Sequence, residues 1–168
     1  MDRAPTLDDF IADPVGRYVA TERVVAWCAA PDLLGAAAWD EPAPADVDFL
    51  VAGWDALVAV RTGPFDKVFD VRFVSRIRED TFARLVERVR SRQPVPREVR
   101  KQVLLAPDGV ASAVVHGFWN LVPSRHPWHV TGSDADGFAW LGREAMCGGV
   151  AAMIAHLREG EPLARLRR

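Results

Sequence analysis

The alternation of apolar and polar positions changes period several times along the chain, and each change marks an element. "RYVAT" and "RVVAWCA" are rich in β-branched and aromatic residues, and "AAPDLLGAAAW" follows across a Pro31-Asp32 turn. This predicts a hairpin of residues 24–29 with 34–39, preceded by a short edge strand near Tyr18. After the chain-breaking "DEPAPAD", Val47, Leu50, Val51, Trp54 and Leu57 recur at the period of an amphipathic helix. "KVFDVRFV" is a nearly continuous run of strand formers, as in a strand covered on both faces. Phe82, Leu85, Val86 and Val89 restore the helical period until Pro94 and Pro96 end it.

"KQVLLAPDG" predicts another buried strand with its turn, and "VASAVVHGFWNLV" a helix whose stripe includes Gly117. "PWHVTGS" reads as the last strand and "DADGFAWLG" as a short helix capped by Gly142. "REAMCGGVAAMIAHL" adds a final helix with Met146, Val150, Met153, Ile154 and Leu157 on one face. Strands alternating with helices predict an α/β fold: a small mixed β-sheet opened by a hairpin, alternating helices, and an extra C-terminal helix. Residues 1–16 read as an acidic leader, 17–142 as the domain, and 143–168 as the C-terminal helix and basic tail. The 168 residues, 49% of them hydrophobic, supply one core and leave no room for a second.

The order hairpin, helix, buried strand, charged turn, helix, strand, helix, strand, short helix resembles a STAS-type domain, the fold of sporulation anti-sigma-factor antagonists and their SpoIIAA-like relatives. The residues that carry the resemblance are "FDKVFDVRFVSRIREDTFARLVERV" and the closing "DADGFAWLG", and it covers about residues 17–142. The wider pattern "WCAAPDLLG…W…P…ADV…DVR…F…L…PDG…A…V…GF…W" is similar to the N-terminal STAS-like domain found before AraC-type DNA-binding domains in some bacteria. The terminal "EPLARLRR" is similar to the lead-in of such a DNA-binding domain. The resemblance implies protein–protein contact in signalling or transcription control. It also implies a switch position, since the antagonists carry a phosphorylatable serine in an Asp-Ser-Ser-Gly-type turn before the helix. Here Arg78, Glu79, Asp80 and Thr81 stand in that turn, with acids in place of the serines and Ser75 earlier. A working serine phosphoswitch is therefore not expected. The acids also suit a plain helix start, where they complement the dipole, or a surface that carries negative charge permanently.

Composition narrows the chemistry. Cys28 and Cys147 lie far apart and outside metal-binding spacings, so both read as free thiols. The N-terminus is acidic and proline-broken where a secretory signal needs a basic start and an apolar run, so a cytoplasmic location is expected. No apolar run reaches the roughly 20 residues of a membrane span. The arginine- and alanine-rich composition points to a GC-rich bacterial genome. The G-x-S-x-G elbow is absent, and Ser112 and His116 are related only by one helical turn, so no catalytic residue is nominated. His126 and His129 in "HPWH" lack a nearby third ligand, and no phosphate-cradling motif occurs, so neither metal nor cofactor is expected.

Charge is uneven. From Arg72 to Lys101 ten basic residues face four acidic ones, a net +6 that leaves −8 for the rest of a chain totalling −2. Arg84 and Arg88 on this segment are candidates for a partner-facing surface. No nucleic-acid reader motif accompanies the charge, so nucleic acid is not expected as a partner of this domain alone. Trp119 falls off the apolar stripe of its helix, near His116 and Asn120, and this trio forms a second candidate surface. The Met146/Met153 stripe reads as core or as the seam of a homodimer through the C-terminal helix. The expectation is a non-enzymatic STAS-like interaction module whose partner is another protein. A small-molecule or lipid-binding domain of the same fold is the alternative, favoured by a cavity lined by Trp27, Trp39 and Phe69.

Overall fold

Among the described residues, seven strands form one sheet in which spatial order equals chain order: β1 (Asp2–Arg3), β2 (Arg17–Ala20), β3 (Val24–Ala30), β4 (Leu33–Asp40), β5 (Phe65–Val74), β6 (Val99–Leu105) and β7 (Trp128–Thr131). The computed structural model describes residues 1–59, 63–91, 99–107 and 126–159. Its helices are α1 (Leu7–Ala12), α2 (Pro44–Ala59), α3 (Glu79–Ser91), α4 (Asp134–Leu141) and α5 (Glu144–Arg158). The fold is α/β with a mixed sheet and a C-terminal helix, as the pattern predicts.

Short turns join β2, β3 and β4 into an antiparallel meander, while β4 to β7 run parallel. Parallel neighbours need crossovers, and α2 and α3 supply the first two. The helix expected over "VASAVVHGFWNLV" lies outside the described residues.

Strand alternation splits the interior into two apolar layers. On one face Val19, Ala26, Cys28, Leu34 and Phe65 pack with Phe10 of α1 and Leu57 of α2. On the other, Trp27, Leu33, Trp39, Val68 and Val103 pack with Phe138 of α4 and with Val150, Met153 and Ile154 of α5. The first sixteen residues do more than lead in. Ala4 and Phe10 are fully buried, β1 pairs with β2, and the Thr6 hydroxyl caps α1 by accepting from Asp9 N at 3.1 Å. The strand near Tyr18 is thus not an edge.

Two glycines have specific work. A Cβ on Gly35 would stand 2.0 Å from a ring carbon of Trp27, so the indole lies directly on the β4 backbone. Gly142 ends α4 at φ 72, the left-handed cap predicted for it. On α3 the expected stripe is only half-buried at Phe82, Leu85 and Val86, while the side chain of Val89 lies outside the description.

Candidate interaction surface

Between the end of β5 and the start of α3 the chain makes a tip in which every residue from Ser75 to Asp80 is exposed. Its base is fixed by one carbonyl. Asp40 O accepts from Ser75 N at 2.8 Å and Arg76 N at 3.3 Å, and from Ser75 Oγ at 2.9 Å. Asp40 reaches this position at φ 56, a left-handed conformation that aspartate tolerates better than most residues. On the helix side, Thr81 Oγ1 donates to Pro42 O at 3.0 Å. The segment 40–42 after β4 therefore anchors the tip at both ends.

What the tip presents is an apolar side chain between charges. Ile77 is 43% exposed, with Arg76 and Arg78 exposed on either side. Arg78 Nε lies 3.4 Å from Asp80 Oδ1, both side chains being more than half exposed. Of the four residues that the resemblance places at a switch position, Arg78, Glu79 and Asp80 face solvent, whereas Thr81 is buried at 3% exposure. The acids also serve the helix, since Asp80 Oδ1 accepts from Thr81 N at 2.8 Å.

Neighbouring helix starts are similarly provided with carboxylates. Asp46 of α2 accepts from Ala43 N at 2.9 Å and from the Thr21 hydroxyl at 2.8 Å. Asp134 and Asp136 occupy the first turn of α4 behind the Ser133 cap. A helix N-terminus attracts phosphate through its free N–H groups and dipole, and here those positions already carry negative charge.

Arg84 and Arg88 of the basic segment engage carboxylates of the same molecule. Arg84 donates to both Asp48 oxygens, at 2.9 and 3.1 Å, and to Glu87 at 2.8 Å. Arg88 donates to Asp48 at 2.9 Å, so the two candidates latch α3 to α2. These hydrogen bonds lower the Asp48 pKa and raise that of Arg84. His116, Trp119 and Asn120 lie outside the described residues.

The largest charge clusters were not nominated from sequence. Asp70, fully buried, receives Arg72 Nε at 3.0 Å and Nη2 at 2.7 Å. The same guanidinium donates to Asp134 at 2.8 and 2.7 Å and to Gly132 O at 3.0 Å, tying β5 to the start of α4. Burial works against the Arg72 charge, but the two carboxylates outweigh it and raise its pKa. At the opposite end of β5, buried Asp66 receives Arg100 at 2.8 and 2.5 Å. Arg143, at the α4–α5 junction, binds Asp32 and approaches Asp66 at 3.5 Å. Burial opposes the Asp32 charge, yet Arg143 and Arg100 hold its pKa below the ordinary value. These two clasps fasten α4 to the sheet at both ends. Arg72, Arg84, Arg88 and Arg100 of the basic segment thus meet carboxylates within the molecule, while Arg76 and Arg90 are exposed and Arg92 and Arg97 lie outside the described residues.

The histidines of "HPWH" serve different partners. His129 Nε2 lies 2.8 Å from Asp136 and its ring stacks on Trp140, whereas His126 meets Gln102 at 3.2 Å. Among the described residues no group of three potential ligands could hold a metal, and no described helix is long and apolar enough to cross a membrane. No protein-family model, curated protein or solved structure matches the chain.

Proposed function

We propose that this chain is a non-enzymatic, STAS-like protein-interaction module acting in cytoplasmic signalling or transcription control, and that its tip from Ser75 to Asp80 is the contact. The carrying observation is Ile77, 43% exposed between two exposed arginines on a loop whose base is pinned by Asp40 O. A pre-positioned anchor loses little freedom on binding, which is where much of the cost of association lies. The element order supports the kinship, and the acids at Glu79 and Asp80 support a contact that carries its charge permanently rather than by phosphorylation.

The small-molecule or lipid reading receives less support. Trp27 and Trp39 share the layer under α5, where the Trp27 ring already occupies the space over Gly35. Phe69 follows Val68 on β5, so alternation turns it to the other face.

The test is affinity capture from native lysate by the wild-type chain and by Ile77→Ala, Glu79→Ala/Asp80→Ala and Trp119→Ala variants. A stoichiometric protein held by wild type and lost with Ile77→Ala is expected. Retention of the same protein by both tip variants would remove the tip as the contact, and its loss with Trp119→Ala alone would move the contact there.

A further inference from the structure

Away from the tip, β7 and α4 hold a polar group that plays no part in the interaction reading. On β7, His129 and Thr131 pair in register with Val103 and Leu105 of β6. Those two β6 residues pack toward α4 and α5, so the His129 imidazole emerges on the same side, beside α4. Its Nε2 lies 2.8 Å from Asp136 Oδ2, and its ring stacks on the Trp140 indole with centroids 5.5 Å apart and planes 19° from parallel. Asp136 and Trp140 stand one turn apart on α4, so one helix face supplies both contacts. The Lys101 ammonium fixes that indole, lying 4.9 Å from its centre and donating to Trp140 O at 2.9 Å.

This arrangement leaves one ring nitrogen held and the other open. A carboxylate only accepts, so in the neutral ring the hydrogen sits on Nε2 and the lone pair on Nδ1. Hydrogen bonds from His129, and after it from Thr131, hold the Asp136 carboxyl below its ordinary range, so it is an anion at neutral pH. Among the described residues Nδ1 has no hydrogen-bond partner, and the His129 side chain is 32% exposed. His156 on α5 is exposed as well, but among the described residues no carboxylate holds its ring.

We propose that His129 Nδ1 is a phosphoryl-acceptor site for a phosphoramidate donor, with Asp136 as its positioning residue. The Nδ1 lone pair attacks phosphorus; the new N–P bond forms as the donor's P–N bond breaks, and the leaving nitrogen departs with the bonding pair. Both bonds are of one kind, so the exchange is close to balanced in free energy. No proton leaves His129 in this step. Nε2–H stays on Asp136 while the ring becomes an N-phosphoimidazolium, and the carboxylate offsets the positive charge that the ring acquires, as the aspartate of a Ser-His-Asp triad does. The Trp140 face adds a second favourable contact to a cationic ring, and the stack keeps the lone pair in one direction.

The probe is potassium phosphoramidate, added to the intact chain and followed by proton–phosphorus correlation NMR, which distinguishes phosphate on Nδ1 from phosphate on Nε2. The expected product is phosphate on His129 Nδ1, formed about tenfold or more faster than any product at His156, in line with the worth of a hydrogen bond to a charged group. His129→Gln should remove this fast signal. Asp136→Asn keeps an acceptor oxygen at an exposed position and removes only the charge. It should slow His129 to the rate of His156 and bring in the Nε2 product, with the His126 ring signals unmoved as the sign that the fold is intact. If His129 reacts no faster than His156, if the wild-type product is on Nε2, or if Asp136→Asn reacts at the wild-type rate, the proposal is wrong.

Discussion

The Thr81 hydroxyl donates to the Pro42 carbonyl across 3.0 Å, and at 3% exposure it is enclosed where the other residues of the tip are open. A kinase needs the hydroxyl it modifies, and this one is engaged in holding α3 to the segment before α2. Thr81→Val leaves the carbonyl without that donor and should cost about 1 kcal/mol. Thr81→Glu places a charge in the same space and should cost several times more. Urea midpoints of the two variants check the order, and equal midpoints would show the hydroxyl to be exposed in solution.

Asp70 and Asp48 each bind arginine in similar geometry, yet their worth differs because of water. Asp70 has no exposed surface, whereas the Asp48 side chain is 40% exposed. Asp70→Ala strands the Arg72 guanidinium with one carboxylate instead of two, and breaking a buried pair typically costs about 3–5 kcal/mol. Asp48→Ala removes the partner of two arginines and should still cost far less, because solvent already screens that pair. Chemical denaturation of both single variants should show this contrast. A larger loss at Asp48 would mean that the α2–α3 latch matters more than the clasp under α4.

Gly35→Ala tests the seat of Trp27. With a Cβ only 2.0 Å from the ring, the indole must move, and overpacking of this kind costs about 1–3 kcal/mol. The expected signs are a lower melting temperature and altered near-ultraviolet dichroism from the displaced indole. Unchanged spectra would place the ring elsewhere.

The architecture was legible because each element announces itself locally. The Pro31-Asp32 turn sets the β3–β4 hairpin, and Gly142 stops α4 where predicted. Local pattern was weaker for residues 1–16, where Phe10 is the one large side chain fully buried and the surrounding acids hide it. It placed β5 as a strand between parallel neighbours, yet it passed over Asp70 and Arg72, two positions apart on one face, which form an ionic clasp. The period-two spacing was visible, but the partner was not, because Asp134 lies 62 residues beyond Arg72. The Asp32–Arg143 contact spans 111 residues. Counting charge along the sequence could not show, for the same reason, that Arg84 and Arg88 meet Asp48, 36 and 40 residues away.

Gly148 and Gly149 sit side by side in α5, exposed, with nothing within 4 Å of a Cβ built on either. Glycine inside a helix is less favourable than alanine by roughly 0.5–1 kcal/mol, and no neighbour among the described residues requires its smallness. Gly148→Ala and Gly149→Ala should each raise the melting temperature with no change in solution mass. A homodimer packed on this face would reverse the sign, and light scattering of the double variant at high concentration distinguishes the two.

His126 sets a pH dependence whose direction follows from its surroundings. Its folded pKa of about 4 lies below the ordinary 6.5, chiefly through burial and then through Lys67. Between these values the unfolded chain binds more protons than the folded one, so stability rises with pH. The contribution is complete above about 6.5, declines as pH falls, and is lost by about 4. Asp32, Asp48 and Asp136 titrate below the ordinary carboxylate range, so their stabilisation is lost only at still lower pH. The interval from 6.5 down to 5 therefore belongs to the imidazole. Urea midpoints should fall across that interval in the wild type and stay nearly level in His126→Gln, which keeps a hydrogen-bonding side chain and removes the titration. A wild-type midpoint that is flat between pH 5 and 6.5 would mean that His126 is solvated and protonates freely in the folded chain.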